Sequence, residues 1–174
     1  MLILGIDPGT ATTGYGLVQV QGNRYSLVDY GCIRTRPHLA PALRLEMIYE
    51  AAGQLVIQHQ PQAVAIEQLF FNRNTTNALS VAQARGVLLL AFAKANLPIS
   101  EYTPLQVKQA VVGYGRAEKE QVKYMVSRIL GLKTPLNSDD AADALAIAIC
   151  HGQQRGSALL LAGSQKSEVR SQKG

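Results

Sequence analysis

The feature that most constrains this chain is the order in which extended and helical apolar periods follow one another. Three strand-like stretches, residues 2–6, 16–20 and 25–32, fall at the start, with "QGNR" as the turn between the last two. They read as an antiparallel meander. Next, "LAPALRLEMIYEAAGQLVIQHQ" sets Leu43, Met47, Ala51 and Leu55 at helical spacing, and Pro61 stops the helix. "AVAIEQL" (63–69) is a buried strand that follows a helix, which predicts pairing parallel to the first strand. A second long helix over about 74–95, a short strand at 98–102 and helices at 104–112 and 117–130, broken at "GYGR", complete the middle of the chain. A last helix begins at "NSDDAADALAIAI". The expected fold class is α/β, a mixed five-stranded sheet with helices on both faces.

With 174 residues, 47% of them apolar, the chain is the right size for one domain with a substantial core. The longest apolar run, "GVLLLAFA", is too short to cross a bilayer. No basic segment precedes the first apolar run, so a signal peptide is not expected. Cys32 and Cys150 fit no CxxC pattern and read as small buried thiols, consistent with a cytoplasmic location. From Gly152 onward Gln, Gly, Ser and charged residues prevail. The expected organisation is therefore a domain over 1–153 and a flexible tail over 154–174. Net charge is +5, but unevenly spread: residues 1–71 carry four Lys/Arg and five Asp/Glu, and 72–174 carry thirteen and seven. A neutral half with isolated acids joined to a basic half suits a polyanionic partner.

Those isolated acids stand in apolar surroundings. Asp7 ends the first strand and is followed at once by Pro8 and Gly9; Glu67 comes directly after "AVAI". Asp140 and Asp143, three apart, share one face of a helix that is apolar all round beyond them. Each has a local alternative. Asp7 fits an Asx-turn at "DPGT", Asp140 fits a capping box with Asn137, and Asp139 suits the positive end of the helix. Glu67 and Asp143 have no such role, and a lone buried carboxylate costs several kcal/mol (roughly 2–7 for a neutral polar group, more for a charge) unless it is partnered. If the four converge, their repulsion calls for divalent cations, and oxygen-only ligands select Mg²⁺ or Mn²⁺ over zinc. Four carboxylates suffice for two ions, the arrangement that polarises attacking and leaving oxygens in phosphodiester hydrolysis.

The segments "ILGIDPGTATTGYG", "AIEQLFFNRNTTNALSVAQARG", "VKQAVVGYGRAEKEQV" and "DDAADALAIAICH" together resemble the RuvC family of bacterial Holliday junction resolvases, over roughly residues 1–151 and in the family's order. The resemblance implies a ribonuclease H-like fold and a homodimeric, Mg²⁺-dependent endonuclease with two ions per site. Such an enzyme nicks two opposing strands of a four-way DNA junction alongside the RuvA–RuvB branch-migration complex. Carried over by position, the family's catalytic acids fall on Asp7, Glu67, Asp140 and Asp143, its lysines on Lys108 and Lys119, and its aromatic loop on Phe70 with Phe71 adjacent.

Read on their own, Arg73, Arg85, Lys108, Arg116, Lys119, Lys123 and Arg128 form a broad basic surface, with Lys119 and Lys123 four apart on one helix face. Lys123 and Arg128 fit a solvated face. For Lys108 and Lys119 the resemblance implies phosphate contacts, one of the two stabilising charge at the scissile group, with Lys119 counted among the catalytic residues; Arg73 and Arg116 are expected to face DNA. Of Phe70 and Phe71, one can be core and the other free to stack on an unpaired base. The helix "ALSVAQARGVLLLAFAKA" is apolar over more than one stripe, which suits either deep burial or a second face for a twin subunit. Three rival readings stand beside this one. "GIDPGTATTG" resembles the first phosphate loop of actin-like and sugar-kinase ATPases, though no second such loop follows. A related nuclease acting on RNA would use the same metal chemistry, and a non-catalytic junction-binding module would keep only the basic surface.

Overall fold

The computed structural model describes the backbone of residues 1–68 and 75–171 and the side chains of 1–68 and 78–156. Ten elements follow in the order β1 (Leu2–Asp7), β2 (Thr12–Gln21), β3 (Arg24–Arg34), α1 (Pro41–His59), β4 (Ala63–Glu67), α2 (Thr75–Lys94), β5 (Ile99–Tyr102), α3 (Pro104–Val112), α4 (Lys119–Ile129) and α5 (Asp139–Ser171). They build one five-stranded sheet of order β3-β2-β1-β4-β5. β1, β2 and β3 pair antiparallel, while β1, β4 and β5 run parallel, so the expected mixed sheet is present. The β2–β3 turn places Gly22 at φ 58°, as the first central residue of a tight hairpin turn requires.

Strand alternation sorts the core into two layers. Leu4, Ile6, Leu17, Val64 and Ile66 pack against α1 and α2, together with Ile48, Ala52, Leu88 and Phe92. Ile3, Val18, Ala65 and Tyr102 point to the other face, against Val107, Val122, Leu145 and Ile149 of α3, α4 and α5. Each large apolar side chain so buried contributes roughly 1.5–3 kcal/mol.

Two local expectations are corrected. The buried stripe of α1 is Ile48, Ala52 and Leu55, not the Leu43–Met47–Ala51 line, and Leu43 is 48% exposed. Both stripes have helical spacing, and only contact with the sheet chooses between them. At the start of α5 the cap is Ser138, not Asn137: its Oγ accepts the Ala141 N–H at 3.4 Å. α5 itself runs from Asp139 to Ser171.

The position of α5 depends on missing side chains in the sheet. Gly5 and Gly16 face each other across β1 and β2, and Gly14 faces Asp7. A Cβ on Gly5 would stand 2.0 Å from the Ala144 carbonyl oxygen, and one on Gly14 the same distance from that of Asp140. The helix backbone therefore rests directly on the sheet, where any larger residue would hold it off.

Candidate active site

Asp7 and Glu67 are the last residues of β1 and β4, one step beyond the paired Ile6 and Ile66. By strand parity both point to the face that α5 covers, in one row with Gly14 and Tyr102. Because α5 touches the sheet at Gly14 through the Asp140 backbone, its first turn brings Asp140 and Asp143 to that row. This is the carboxyl edge of the parallel strands, where open α/β sheets place their ligands.

The acids perturb one another. The Asp7 carboxyl is pushed up to about 8, first by burial, then by the charges of Glu67, Asp143 and Asp140, with Lys119 pulling the other way. Glu67 is raised to about 7 by burial and by Asp143, against Lys119 and Lys108. Asp143 is raised by burial, and the Lys119 hydrogen bond and charge oppose that. Such crowding destabilises the charged forms and is relieved by a bound cation or by protons.

No basic residue lies within a turn of Asp143 in the sequence, yet α4 carries one to it: Lys119 Nζ stands 3.1 Å from Asp143 Oδ2 and 3.6 Å from Asp139 Oδ2. Burial alone would lower the Lys119 ammonium, but the hydrogen bond and charge of Asp143, with Asp139 and Asp140, hold it raised. Lys119 is the first residue of α4, the positive end of the helix dipole, where a cation is disfavoured by roughly 0.3–1 kcal/mol. A residue placed against its local preference is a mark of a functional site. Among the described residues no three His, Cys, Asp or Glu side chains stand at the spacing that holds one ion. The donor set nevertheless fits a hard divalent cation, being oxygen-only, half-buried and over-repelled.

Glu67, Lys108, Lys119 and Asp143 line one cavity of about 180 Å³, floored by Val107, Val122 and Ile147. Arg116 is exposed in the turn between α3 and α4. Phe70, Phe71 and Arg73 lie outside the described residues. The loop after Asp7 is closed by hydroxyls rather than by an Asx-turn: Thr13 Oγ1 donates to the Gly9 carbonyl at 2.7 Å and Thr35 Oγ1 to that of Thr10 at 2.7 Å. Thr10 and Thr13 thus spend their donors inside the loop and on α2, where Thr10 reaches the Ser80 carbonyl, which argues against a phosphate loop.

Sequence reasoning missed two supports of the site. Arg85, counted there as surface charge, is largely buried; its Nε donates to the Glu67 carbonyl at 3.2 Å and its guanidinium pairs with Glu101. Lys123, read as solvated, pairs with Asp139 at 3.0 Å. Neither partner is near in sequence. The strand glycines under α5 did carry a legible signal, because an isolated Gly inside a strand marks close backbone approach.

A sheet of this order, with acids at the ends of its two central parallel strands facing a helix that carries two more, defines a nuclease of the ribonuclease H-like class. The family model described as "Crossover junction endodeoxyribonuclease RuvC" matches residues 3–151. The chain belongs to the RuvC family of crossover junction endodeoxyribonucleases. The RuvC of Desulfitobacterium hafniense is 60% identical over 151 residues, covering 87% of this chain and 92% of its own. That of Pelotomaculum thermopropionicum is 58% identical over 151 residues with the same coverage. Thermus thermophilus RuvC, solved in complex with Holliday junction substrate, superposes with a TM-score of 0.86 at 38% identity, over 91% of this chain and 96% of that one. The yeast mitochondrial Holliday junction resolvase Ydc2 shares the fold, with a TM-score of 0.66 at 16% identity over 92% of this chain and 82% of its own.

Proposed function

We propose that this protein resolves four-way DNA junctions in recombination and repair by paired, metal-dependent nicks in strands of like polarity. The observation that carries the reading is the meeting of Asp7 and Glu67, at the ends of β1 and β4, with Asp143 of α5 beside the Lys119 ammonium, all three carboxyls being raised first by burial. Asp7, Glu67, Asp140 and Asp143 would hold two Mg²⁺ ions, with Mn²⁺ as a substitute. When bound, the ions supply an activated water and stabilise the leaving oxygen. The chain's own residues do the rest. The cavity wall of Val107, Val122 and Ile147 limits water around the acids. Lys119, once freed from Asp143, presents its ammonium to a non-bridging oxygen of the scissile phosphate, and Lys108 meets the same strand from α3. Arg116 and Arg73 serve backbone phosphates, and Phe70 or Phe71 stacks on a base opened at the crossover.

The four-way substrate has two-fold symmetry, and a homodimer would match it. α2 supports this. Its inner stripe of Ala84, Leu88 and Phe92 is buried, while Leu79 and Leu90 on the outer stripe are 66% and 56% exposed, with Gly86 between them. Ile57 of α1 is 72% exposed, at a groove of about 600 Å³ that reaches Ala91 of α2. A second copy would cover this apolar face. Leu90→Glu is expected to halve the mass measured by sedimentation, leave the monomer's melting temperature within a few degrees, and abolish the pairing of the two nicks.

Among the described residues no helix is long and apolar enough to cross a membrane. We place the protein in the cytoplasm with the DNA it cuts. Partnership with RuvA–RuvB rests on the family likeness. The family match ends at residue 151, which supports a nuclease unit over 1–153, with the rest of the chain as an extension beyond it. The test of the whole reading is a cleavage assay with Mg²⁺ or chelator on a synthetic four-way junction, a matched linear duplex and an RNA hairpin. Symmetric nicking of the junction alone, lost with chelator, is the expected result. Cleavage of the hairpin instead means an RNA nuclease, and junction binding without cleavage means a binding module.

A further inference from the structure

We propose that Asp139, through its pairs with Lys119 and Lys123, is a positioning residue that holds the Lys119 ammonium at the rim of the acid cluster when a divalent cation takes over Asp143.

Two helices meet here with matched spacing. Lys119 and Lys123 are four apart on α4, and Asp139 and Asp143 are four apart on α5. Their heads alternate in sign along one line. Lys123 Nζ lies 3.0 Å from Asp139 Oδ1, Asp139 Oδ2 lies 3.6 Å from Lys119 Nζ, and Lys119 Nζ lies 3.1 Å from Asp143 Oδ2. Asp139 thus engages a different lysine with each oxygen, and Lys119 bridges two carboxylates. Only Asp143 of the four belongs to the buried group with Asp7 and Glu67. Asp139 and Lys119 are each about half exposed, at 51%.

The consequence follows from what Lys119 must do. Its charge stands on Asp143, so any cation that claims Asp143 must first displace it. With Asp139 present the ammonium keeps a carboxylate partner and moves by little, staying beside the reacting phosphate. Without Asp139, Asp143 is its remaining close partner, and it competes for that group with full strength. An exposed pair of this kind adds little to folding stability, so its value lies in where it keeps Lys119. Lys123 in turn keeps the Asp139 carboxylate turned toward α4.

This inference rests on the acid cluster being the metal site, and the test separates the two. Mg²⁺ is titrated calorimetrically into the DNA-free protein, for wild type, Asp139→Asn, Lys119→Ala and the double variant. Asp139→Asn is expected to weaken Mg²⁺ binding about fivefold in the Lys119 background and not at all in the Lys119→Ala background. Equal weakening in both backgrounds overturns the proposal, because Asp139 then acts only as a distant charge. In single-turnover nicking, Asp139→Asn is expected to slow the step about fivefold with junction affinity unchanged, and Asp139→Glu to restore most of it. A loss of affinity with no loss of rate also overturns it. If wild type binds no Mg²⁺ at all, it is the reading of the acid cluster that fails.

Discussion

Asp7→Asn is expected to reduce junction nicking by about a thousandfold or more while junction affinity at low salt stays within about twofold. The separation follows from position. Asp7 lies in the most buried corner of the cluster, beneath α5, and reaches phosphate only through whatever cation it holds. On the proposed reading DNA binding draws on Lys108, Arg116 and the other cations, which the substitution does not touch. Glu67→Gln is expected to behave alike.

The same variant carries a stability signature that a solvent-exposed acid would lack. The Asp7 carboxyl in the folded, metal-free chain sits near 8 against an ordinary 3.8, and Glu67 near 7 against 4.5. Between those limits the folded state holds more protons than the unfolded one, so stability falls as pH rises, from about pH 4 through about pH 8. Metal-free wild type should therefore melt lower at pH 8.5 than at pH 5 by about 5 °C or more, since shifts of this size amount to more than about 2 kcal/mol. Asp7→Asn should flatten most of that slope and melt higher than wild type at pH 8.5. Added Mg²⁺ should raise wild type at pH 8.5 and leave the variant unmoved. Normal nicking by Asp7→Asn rules out the cluster as the catalytic centre, and an unchanged pH slope rules out an Asp7 carboxyl held protonated by burial.

Much of this arrangement could be read before any coordinates existed, and the reasons differ by residue. The strands declare themselves by β-branched and apolar runs between turn residues, and Glu67 stands out because its apolar neighbours on β4 leave it no wet side. Asp143 stands out among alanines for the same reason. What escaped are relations between residues distant in the chain. Whether Leu43 or Ile48 faces inward depends on the sheet beneath α1, not on helical spacing, which both satisfy. The Lys119–Asp143 pair joins two helices by their packing angle, and the Arg85 bond to the Glu67 carbonyl joins α2 to β4. Asp139 invited a sufficient local explanation as a helix-end charge, and that explanation concealed its two lysines. The glycines were a different case: their message was local, and it concerns the largest structural effect expected for a single methyl group.

Gly5→Ala is expected to unseat α5 and lower the melting temperature by about 10 °C or more. The added Cβ would meet the Ala144 carbonyl oxygen at 2.0 Å, the Ala148 nitrogen at 2.8 Å and the Ala148 Cβ at 2.9 Å, none of them the movable end of a long side chain. β1 cannot yield, because it is hydrogen-bonded on both sides and Leu4 and Ile6 are fully buried against the opposite layer. Overpacking commonly costs about 1–3 kcal/mol, and contact with helix backbone on one side and a fixed central strand on the other should exceed that range. Gly14→Ala should behave differently. Its Cβ would stand 2.0 Å from the Asp140 carbonyl, at the very start of α5, where one turn can lift away without dragging the helix with it. The expected result there is a small loss of stability, about 1–2 kcal/mol, with a loss of nicking of about a hundredfold because Asp140 no longer sits over Asp7. Gly156→Ala, in the same helix with nothing among the described residues within 4 Å of the new methyl group, serves as the control and should leave both properties near wild type. If Gly5→Ala melts with wild type, or if Gly14→Ala loses stability and activity in the proportion that Gly5→Ala does, the contact between bare strand and helix backbone is not what positions the acids.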